Sequence, residues 1–159
     1  PDSPPPDRCG SCTRCIDACP TNAIVPDGHG GWTLDSRMCI SYLTIEKRGT
    51  WAEGIGALTG NHVFGCDICQ DVCPWNRRAP VTDDSRFEPQ HGELDLASVS
   101  ELSEEDFQSM FRNSPVRRAK YEGFLRNVRA ATRNAADKSL ESVSQQSPDV
   151  SLARAGESF

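Results

Sequence analysis

Eight cysteines carry most of the chemical information in this sequence of 159 residues. All of them lie between Cys9 and Cys73, and the sequence contains two runs that each end in a Cys-Pro pair. Thiolates are soft ligands that suit zinc and iron–sulfur clusters. A secreted disulfide scaffold would also use an even number of cysteines, but the tight, matching spacings favour metal ligation in a reducing compartment.

The spacing of the cysteines indicates which metal group they bind. The first run has the C-x2-C-x2-C-x3-C-P spacing of bacterial ferredoxins, in which three thiolates bind one 4Fe–4S cluster and the fourth binds the other cluster. The second run repeats the x2 and x3 spacing, whereas Cys39 lies far upstream of it. Crossing the fourth ligands predicts a first quartet for cluster I, formed by Cys9, Cys12, Cys15 and Cys73. The second quartet, for cluster II, is then Cys19, Cys39, Cys66 and Cys69.

Zinc is the alternative metal, because paired C-x2-C knuckles bind it. The first run argues against zinc, since it has too many thiols for one tetrahedral site. Eight cysteines already complete two four-ligand sites, so His29, His62 and His91 are left unassigned.

The elements that position these cysteines are predicted to form an α+β fold. It consists of a two-cluster, bacterial-ferredoxin-like domain with an insertion between the two cysteine runs, followed by a small α-helical region. The predicted order is a linker at residues 1–8, the double-cluster domain at 9–75, a connecting loop at 76–100, a helical region at 101–138 and a disordered tail at 139–159.

Local patterns predict four elements. Within the insertion, Trp32–Leu34 is expected to form a strand, and a helix is expected from Cys39 through Glu46. Ser103–Asp106 has the pattern of a capping box at the start of a short helix. Ser114-Pro115 is a helix start signal, and the apolar residues after it recur at steps of three and four.

Charge is unevenly distributed along the chain. The net charge of −6 excludes a uniformly basic nucleic-acid binder. Nine acids and one base lie between Asp83 and Asp106, whereas eight bases and two acids lie between Arg112 and Lys138. An arginine side on the predicted helix is either a solvated face or a binding surface, and the charge pattern leaves both open.

Four strings in this sequence resemble the epoxyqueuosine reductase family. They are CGSCTRCIDACPTNAI, RMCISYLTIE, GNHVFGCDICQDVCPWN and SPVRRAKYEGFLRNVRAATRNA, and the resemblance spans residues 9–136. Membership implies a cytoplasmic enzyme that uses two 4Fe–4S clusters and cobalamin. It would reduce the epoxide of epoxyqueuosine in the tRNA anticodon region, giving queuosine.

The resemblance also implies roles for individual residues. The eight cysteines would be cluster ligands, and Ser41 and Asp67 would face cobalamin. The residues expected to face tRNA are Lys47, Arg48, Arg117, Arg118, Lys120 and Arg126. No catalytic residue is assigned, because the family's proton donor belongs to an N-terminal cobalamin domain that this sequence lacks, so the fragment alone is expected to be inactive.

Electrons would pass from a donor such as ferredoxin or flavodoxin through cluster II and cluster I to the cobalt. The protein is expected to be a monomer without membrane contact. Two other redox classes remain as alternatives: a stand-alone ferredoxin-type electron carrier and a corrinoid enzyme like the reductive dehalogenases. A zinc-stabilised RNA-binding module is the third alternative. The basic helix favours the tRNA enzyme over the two redox alternatives, since neither needs a cationic surface for RNA.

Overall fold

The computed structural model describes Ser3, residues 8–89 and residues 93–144. Its backbone combines short helices with one two-stranded sheet, which agrees with a mixed helix and strand fold. Most of the predicted linker at residues 1–8 lies outside the described residues, as does His91. Over the described part of the chain, no helix is long and apolar enough to cross a bilayer.

Two short helices lie in equivalent places within the two cysteine runs. Helix α1 (Arg14–Asp17) lies inside the first run, and helix α3 (Ile68–Asp71) lies inside the second. The two helices pack against each other, and this contact brings the two runs together. Helix α2 (Ile55–Leu58) lies between them in sequence and packs instead on the long C-terminal helix.

The sheet is a hairpin closed by an aspartate side chain. Strand β1 (Ile24–Pro26) pairs antiparallel with strand β2 (Trp32–Leu34), and Val25 lies opposite Thr33. In the turn, the Asp27 carboxylate accepts hydrogen bonds from two backbone N–H groups, which lower its pKa. The strand predicted at Trp32–Leu34 is confirmed.

The helix predicted from Cys39 through Glu46 is corrected by the structure. A 3-10 turn (Ser36–Met38) ends at Cys39, whose backbone is extended. Helical geometry resumes after it and becomes a π-helix at Tyr42–Glu46. Cys39 therefore lies at a bend between two helical segments rather than within one helix.

Side chains from elsewhere in the chain account for the π-helix. The Leu43 carbonyl accepts hydrogen bonds from the Trp51 indole (3.2 Å) and the Arg126 guanidinium (2.8 Å). An α-helix would pair this carbonyl with the N–H of Lys47, which instead donates to the carbonyl of Tyr42 at 2.9 Å. Groups inserted into the regular hydrogen-bond ladder are a known cause of such irregular turns.

The hydrophobic core lies among the C-terminal helices and not around the cysteines. Helices α4 (Leu96–Ser100), α5 (Glu104–Met110) and α6 (Lys120–Ser144) enclose most of it. Its buried members are Val99, Phe107, Phe111, Ala119, Phe124, Leu125 and Val128. Within described residues 8–75, the buried hydrophobic side chains are only Ala23, Ile40 and Leu43.

Helix capping follows the sequence patterns, but the last helix begins later than predicted. The Ser103 hydroxyl accepts the Asp106 N–H (3.1 Å), while the Asp106 carboxylate accepts the Ser103 N–H (3.4 Å), so the capping box is confirmed. Ser114 also caps a turn, but Pro115–Ala119 is a 3-10 helix. Lys120 has a φ of 62°, which separates this turn from the regular turns of α6.

Two predicted boundaries differ from the structure. The segment 76–100 is not only a connecting loop: it contains most of one 3-10 turn (Pro74–Arg78), a second turn (Ser85–Phe87) and helix α4, whose Val99 is buried in the core. Helix α6 also runs to Ser144, beyond the predicted end at residue 138. The rest of the predicted disordered tail, residues 145–159, lies outside the described residues.

Candidate metal centre and adjoining basic cleft

The four cysteines of the second quartet line one cavity. Each of them is half-buried. The cavity's other walls are almost entirely apolar and come from β1, β2 and the starts of the neighbouring helices: Pro20, Thr21, Ala23, Ile24, Leu34, Ile40 and Ile68. The structure thus brings together the cysteines that the crossed pattern groups as Cys19, Cys39, Cys66 and Cys69.

The shape of this site suits a polynuclear cluster. The four thiols line the walls of a cavity whose other residues are almost all apolar. Four soft thiolates around a mostly apolar space fit a 4Fe–4S cluster.

Two thiols of this quartet, those of Cys19 and Cys66, have shifted pKa values. Burial by itself raises the pKa of Cys19, but hydrogen bonds from the Thr21 hydroxyl and the Ala23 N–H (3.3 Å to sulfur) outweigh burial and lower it. Burial raises the pKa of Cys66, and the charges of the other three cysteines raise it further. Four thiolates gathered in this way repel one another until cations neutralise them, which favours metal binding.

Hydroxyl groups connect two of the chain segments that carry cysteines of the second quartet, those of Cys39 and Cys66. The Ser41 hydroxyl accepts the Cys66 N–H at 3.0 Å and donates to the Cys66 carbonyl at 3.2 Å. One turn later, the buried Thr44 hydroxyl accepts the Gly65 N–H at 3.0 Å. Ser41, expected from the resemblance to face cobalamin, therefore has a direct structural role beside Cys66.

The first quartet is more exposed than the second. Cys9 and Cys12 are exposed, and Cys15 and Cys73 are half-buried. The Trp75 indole donates a hydrogen bond to the Arg8 carbonyl at 3.2 Å, and the Arg8 guanidinium lies 5.7 Å from the ring centroid. Since these two residues neighbour the first and last cysteines, the start of the first run lies beside the end of the second.

A basic cleft adjoins the insertion on the side of α6. It has a volume of about 420 Å³ and lies between the chain after the π-helix and one face of α6. Its basic residues are Lys47, Arg48, Lys120, Arg126, Arg129 and Arg133, and Glu122 is its one acidic lining residue. The structure thus brings together four of the six residues expected to face RNA and adds Arg129 and Arg133 to them.

Arg126 differs from the other bases of the cleft because its guanidinium is used inside the protein. It lies 4.3 Å from the Trp51 ring centroid. Burial, together with the charge of Arg48, lowers its pKa. Its five N–H groups make hydrogen bonds of 2.7–3.1 Å to the carbonyls of Leu43, Lys47 and Gly49 and to the side-chain oxygen of Asn127. A guanidinium has five N–H donors, so these contacts use its donor capacity.

Two other residues expected to face RNA lie apart from the cleft's lining. Arg118 forms an ion pair with Glu46. Arg117 donates to the Arg112 carbonyl at 3.3 Å and lines a separate depression with acidic side chains of α5. Asp67, expected to face cobalamin, is exposed between two cysteines at the start of α3 and makes no capping hydrogen bond there.

The sequence contained a signal for one site residue that was missed. Asn127 is fully buried in α6, among the apolar positions that face the core. A polar residue on the apolar face of a helix needs hydrogen-bond partners when it is buried. The pattern therefore marked Asn127 as unusual, but it did not show which groups Asn127 meets.

Comparison with sequence families agrees with the cysteine arrangement. Residues 8–76 match the family described as 4Fe-4S double cluster binding domain. This span contains all eight cysteines and ends before helices α4 to α6.

Relatives extend the similarity beyond the cysteines. An epoxyqueuosine reductase of Pseudomonas aeruginosa is 49% identical over 132 residues, which cover 81% of this chain and 35% of the relative. An epoxyqueuosine reductase of Cyclobacterium marinum is 46% identical over 122 residues, 77% of this chain and 38% of that protein. The chain thus spans about a third of the length of these curated relatives.

Solved structures with similar folds have the same enzyme name. A structure of epoxyqueuosine reductase from Bacillus subtilis is 30% identical with a TM-score of 0.69, and the match covers 94% of this chain and 40% of that one. A crystal structure of epoxyqueuosine reductase with an epoxyqueuosine-modified tRNA-Tyr stem loop is 32% identical with a TM-score of 0.70. That match covers 87% of this chain and 36% of the other.

Proposed function

Because this chain belongs with the epoxyqueuosine reductases in both sequence and fold, we propose that it forms the iron–sulfur electron-relay portion of such an enzyme. The whole enzyme would reduce epoxyqueuosine to queuosine in tRNA with cobalamin. One observation carries this proposal: residues of the segment between the two cysteine runs line both the cysteine cavity and the basic cleft. A stand-alone electron carrier would have no use for the second feature.

The ferredoxin-like crossing of ligands is part of the proposal. Cluster II would be held by the second quartet around the cavity, and cluster I by the first quartet. The Arg8–Trp75 contact supports the second assignment, because it brings Cys9 and Cys73 to the same end of the domain. When bound, the two clusters supply one-electron transfer.

The protein's own groups would prepare these sites for their clusters. Thr21 and the Ala23 N–H stabilise the thiolate of Cys19, while Ser41 fixes the backbone of Cys66. The mostly apolar walls limit water around the thiolates, and hydrogen bonds and solvent exposure are the protein's main means of setting a cluster's potential. Asp67, which is exposed, and Ser41, which also fixes the backbone of Cys66, are the residues proposed to face cobalamin.

The proposed partners follow from the charges and from the relatives. The basic cleft would bind phosphates of the tRNA anticodon stem loop, as suggested by the relative solved with such a stem loop. Because free thiols persist under reducing conditions, the protein is proposed to act in the reducing cytoplasm. Ferredoxin or flavodoxin is proposed as the electron donor, and the protein is proposed to act as a monomer.

Binding of an anticodon stem loop is the experiment that separates this function from a ferredoxin-type carrier. We expect binding that weakens steeply as salt concentration rises, because phosphate contacts release counterions. Lys47→Ala and Arg129→Ala should each weaken binding and reduce the slope of log K against log salt by about one. Fluorescence anisotropy with a labelled stem loop at several salt concentrations measures both quantities.

Two matched controls locate the RNA surface. Arg86→Ala removes the same charge from an arginine that pairs with Asp84 outside the cleft, so it should leave the slope unchanged. Arg117→Ala should have a smaller effect than Arg129→Ala, since Arg117 does not line the cleft. Equal binding by the parent and both cleft variants would contradict the proposed RNA surface.

A further inference from the structure

Asn127 connects helix α6 to two chain segments of the cysteine-rich domain. One segment carries Cys39 and the other carries Cys66, both members of the second quartet. Its side chain is fully buried. The amide nitrogen donates to the carbonyls of Thr44 and Val63, each at 2.8 Å. Thr44 lies five residues after Cys39, and Val63 lies three residues before Cys66. One amide group therefore bridges two ligand-bearing segments that are distant in sequence.

Two further sets of hydrogen bonds strengthen this junction. One set again links the two segments, and the other fixes the orientation of the Asn127 amide. The Thr44 hydroxyl donates to the Ile40 carbonyl at 2.7 Å and accepts the Gly65 N–H, so it links the same two segments. The oxygen of Asn127 accepts two hydrogen bonds from the Arg126 guanidinium, at 2.9 and 3.1 Å. These contacts leave the amide one orientation, with its nitrogen towards the two carbonyls.

We propose that Asn127 is a positioning residue for the second thiolate quartet, acting through the backbone around Thr44 and Val63 on Cys39 and Cys66. The inference rests on the proposed ligation of cluster II. The residues that support a cluster would then include a side chain of α6, which lies outside residues 8–76, the part that matches the double-cluster family. Residues that orient metal ligands influence metal affinity without touching the metal.

A second asparagine on α6 provides a matched control. Asn134 lies two turns further along the helix, and its amide also donates two hydrogen bonds to backbone carbonyls, those of Gly56 and Gly60. The segment that it holds, helix α2 and the two residues after it, contains no cysteine. Asn134→Ala therefore removes the same kind of bridge without affecting a ligand-bearing segment.

The test compares loss of iron from the reconstituted protein when a chelator is added under anaerobic conditions. Asn127→Ala should lose the iron of cluster II roughly tenfold faster than the parent, a typical effect for residues that orient ligands. Iron of cluster I should be lost at the parental rate. Once cluster II is lost, the EPR spectrum of Asn127→Ala should match that of Cys39→Ala, which is expected to retain only cluster I. Asn134→Ala should lose iron from both clusters at the parental rate.

The outcomes separate this inference from the ligation on which it rests. If Cys39→Ala removes no cluster, the proposed ligation fails. If Cys39→Ala removes one cluster while Asn127→Ala loses iron no faster than Asn134→Ala, or loses both clusters together, the positioning role is wrong. Should Asn127→Ala fail to fold, Thr44→Val decides, because it removes the second bridge and should give the same selective loss.

Discussion

Replacing Cys73 with alanine is expected to remove cluster I and leave cluster II in place, although Cys73 is only four residues from Cys69. The reason is the proposed crossed ligation, in which the cysteine of each Cys-Pro pair would serve the other cluster. The structure agrees with this separation, because Cys69 lines the cavity of the second quartet and Cys73 does not. Cys69→Ala should therefore remove cluster II.

Iron, acid-labile sulfide and EPR measurements on anaerobically reconstituted protein check this expectation. The parent should hold eight irons, from two 4Fe–4S clusters, and each variant should hold four. The two variants should give different EPR spectra, and the Cys69→Ala spectrum should match that of Cys39→Ala. Identical spectra from Cys73→Ala and Cys69→Ala would show that both cysteines bind the same cluster.

Removal of the clusters is expected to unfold the cysteine-rich part of the chain while the C-terminal core remains folded. Within residues 8–75, few apolar side chains are buried, whereas α4, α5 and α6 enclose a cluster of phenylalanines. The ring centroids of Phe107 and Phe124 lie 5.2 Å apart, a favourable distance for aromatic packing. Metal binding therefore supplies the folding free energy that burial does not supply in the first half.

Hydrogen exchange before and after chelation measures this difference. Amides of α1, the hairpin and α3 should lose protection when iron is removed, and amides of α5 and the first half of α6 should keep it. Restoring iron and sulfide should restore the protection. Retained protection around the hairpin in the iron-free protein would contradict the account, as would simultaneous loss in both halves.

Short-range patterns allowed much of the fold to be predicted. The strand at Trp32–Leu34 and the Ser103 capping box depend on neighbouring residues, and both are present. Grouping of the second quartet depended on a spacing rule that already contains three-dimensional information, namely the crossing of ligands between clusters. The apolar walls of its cavity, such as Leu34 from the hairpin, could not be assigned from spacing.

Contacts between distant segments account for what the sequence did not predict. The apolar period of α6 predicted a cationic face correctly, but it could not show that Arg126 turns its guanidinium onto carbonyls of the insertion. Those hydrogen bonds also change the helix of the insertion into a π-helix. Similarly, the positive φ of Lys120 follows from how two helical segments meet and not from a local propensity.

We propose that this chain supplies the electron relay for epoxyqueuosine reduction. The most direct test replaces the matching part of the Pseudomonas aeruginosa relative, 49% identical, with residues 9–136 of this chain. The measurement is the conversion of epoxyqueuosine to queuosine in tRNA by the reduced, cobalamin-loaded chimera. We predict conversion by the chimera and none by its Cys39→Ala variant. A folded chimera that holds eight irons yet forms no queuosine, or a Cys39→Ala chimera that remains active, would contradict the claim.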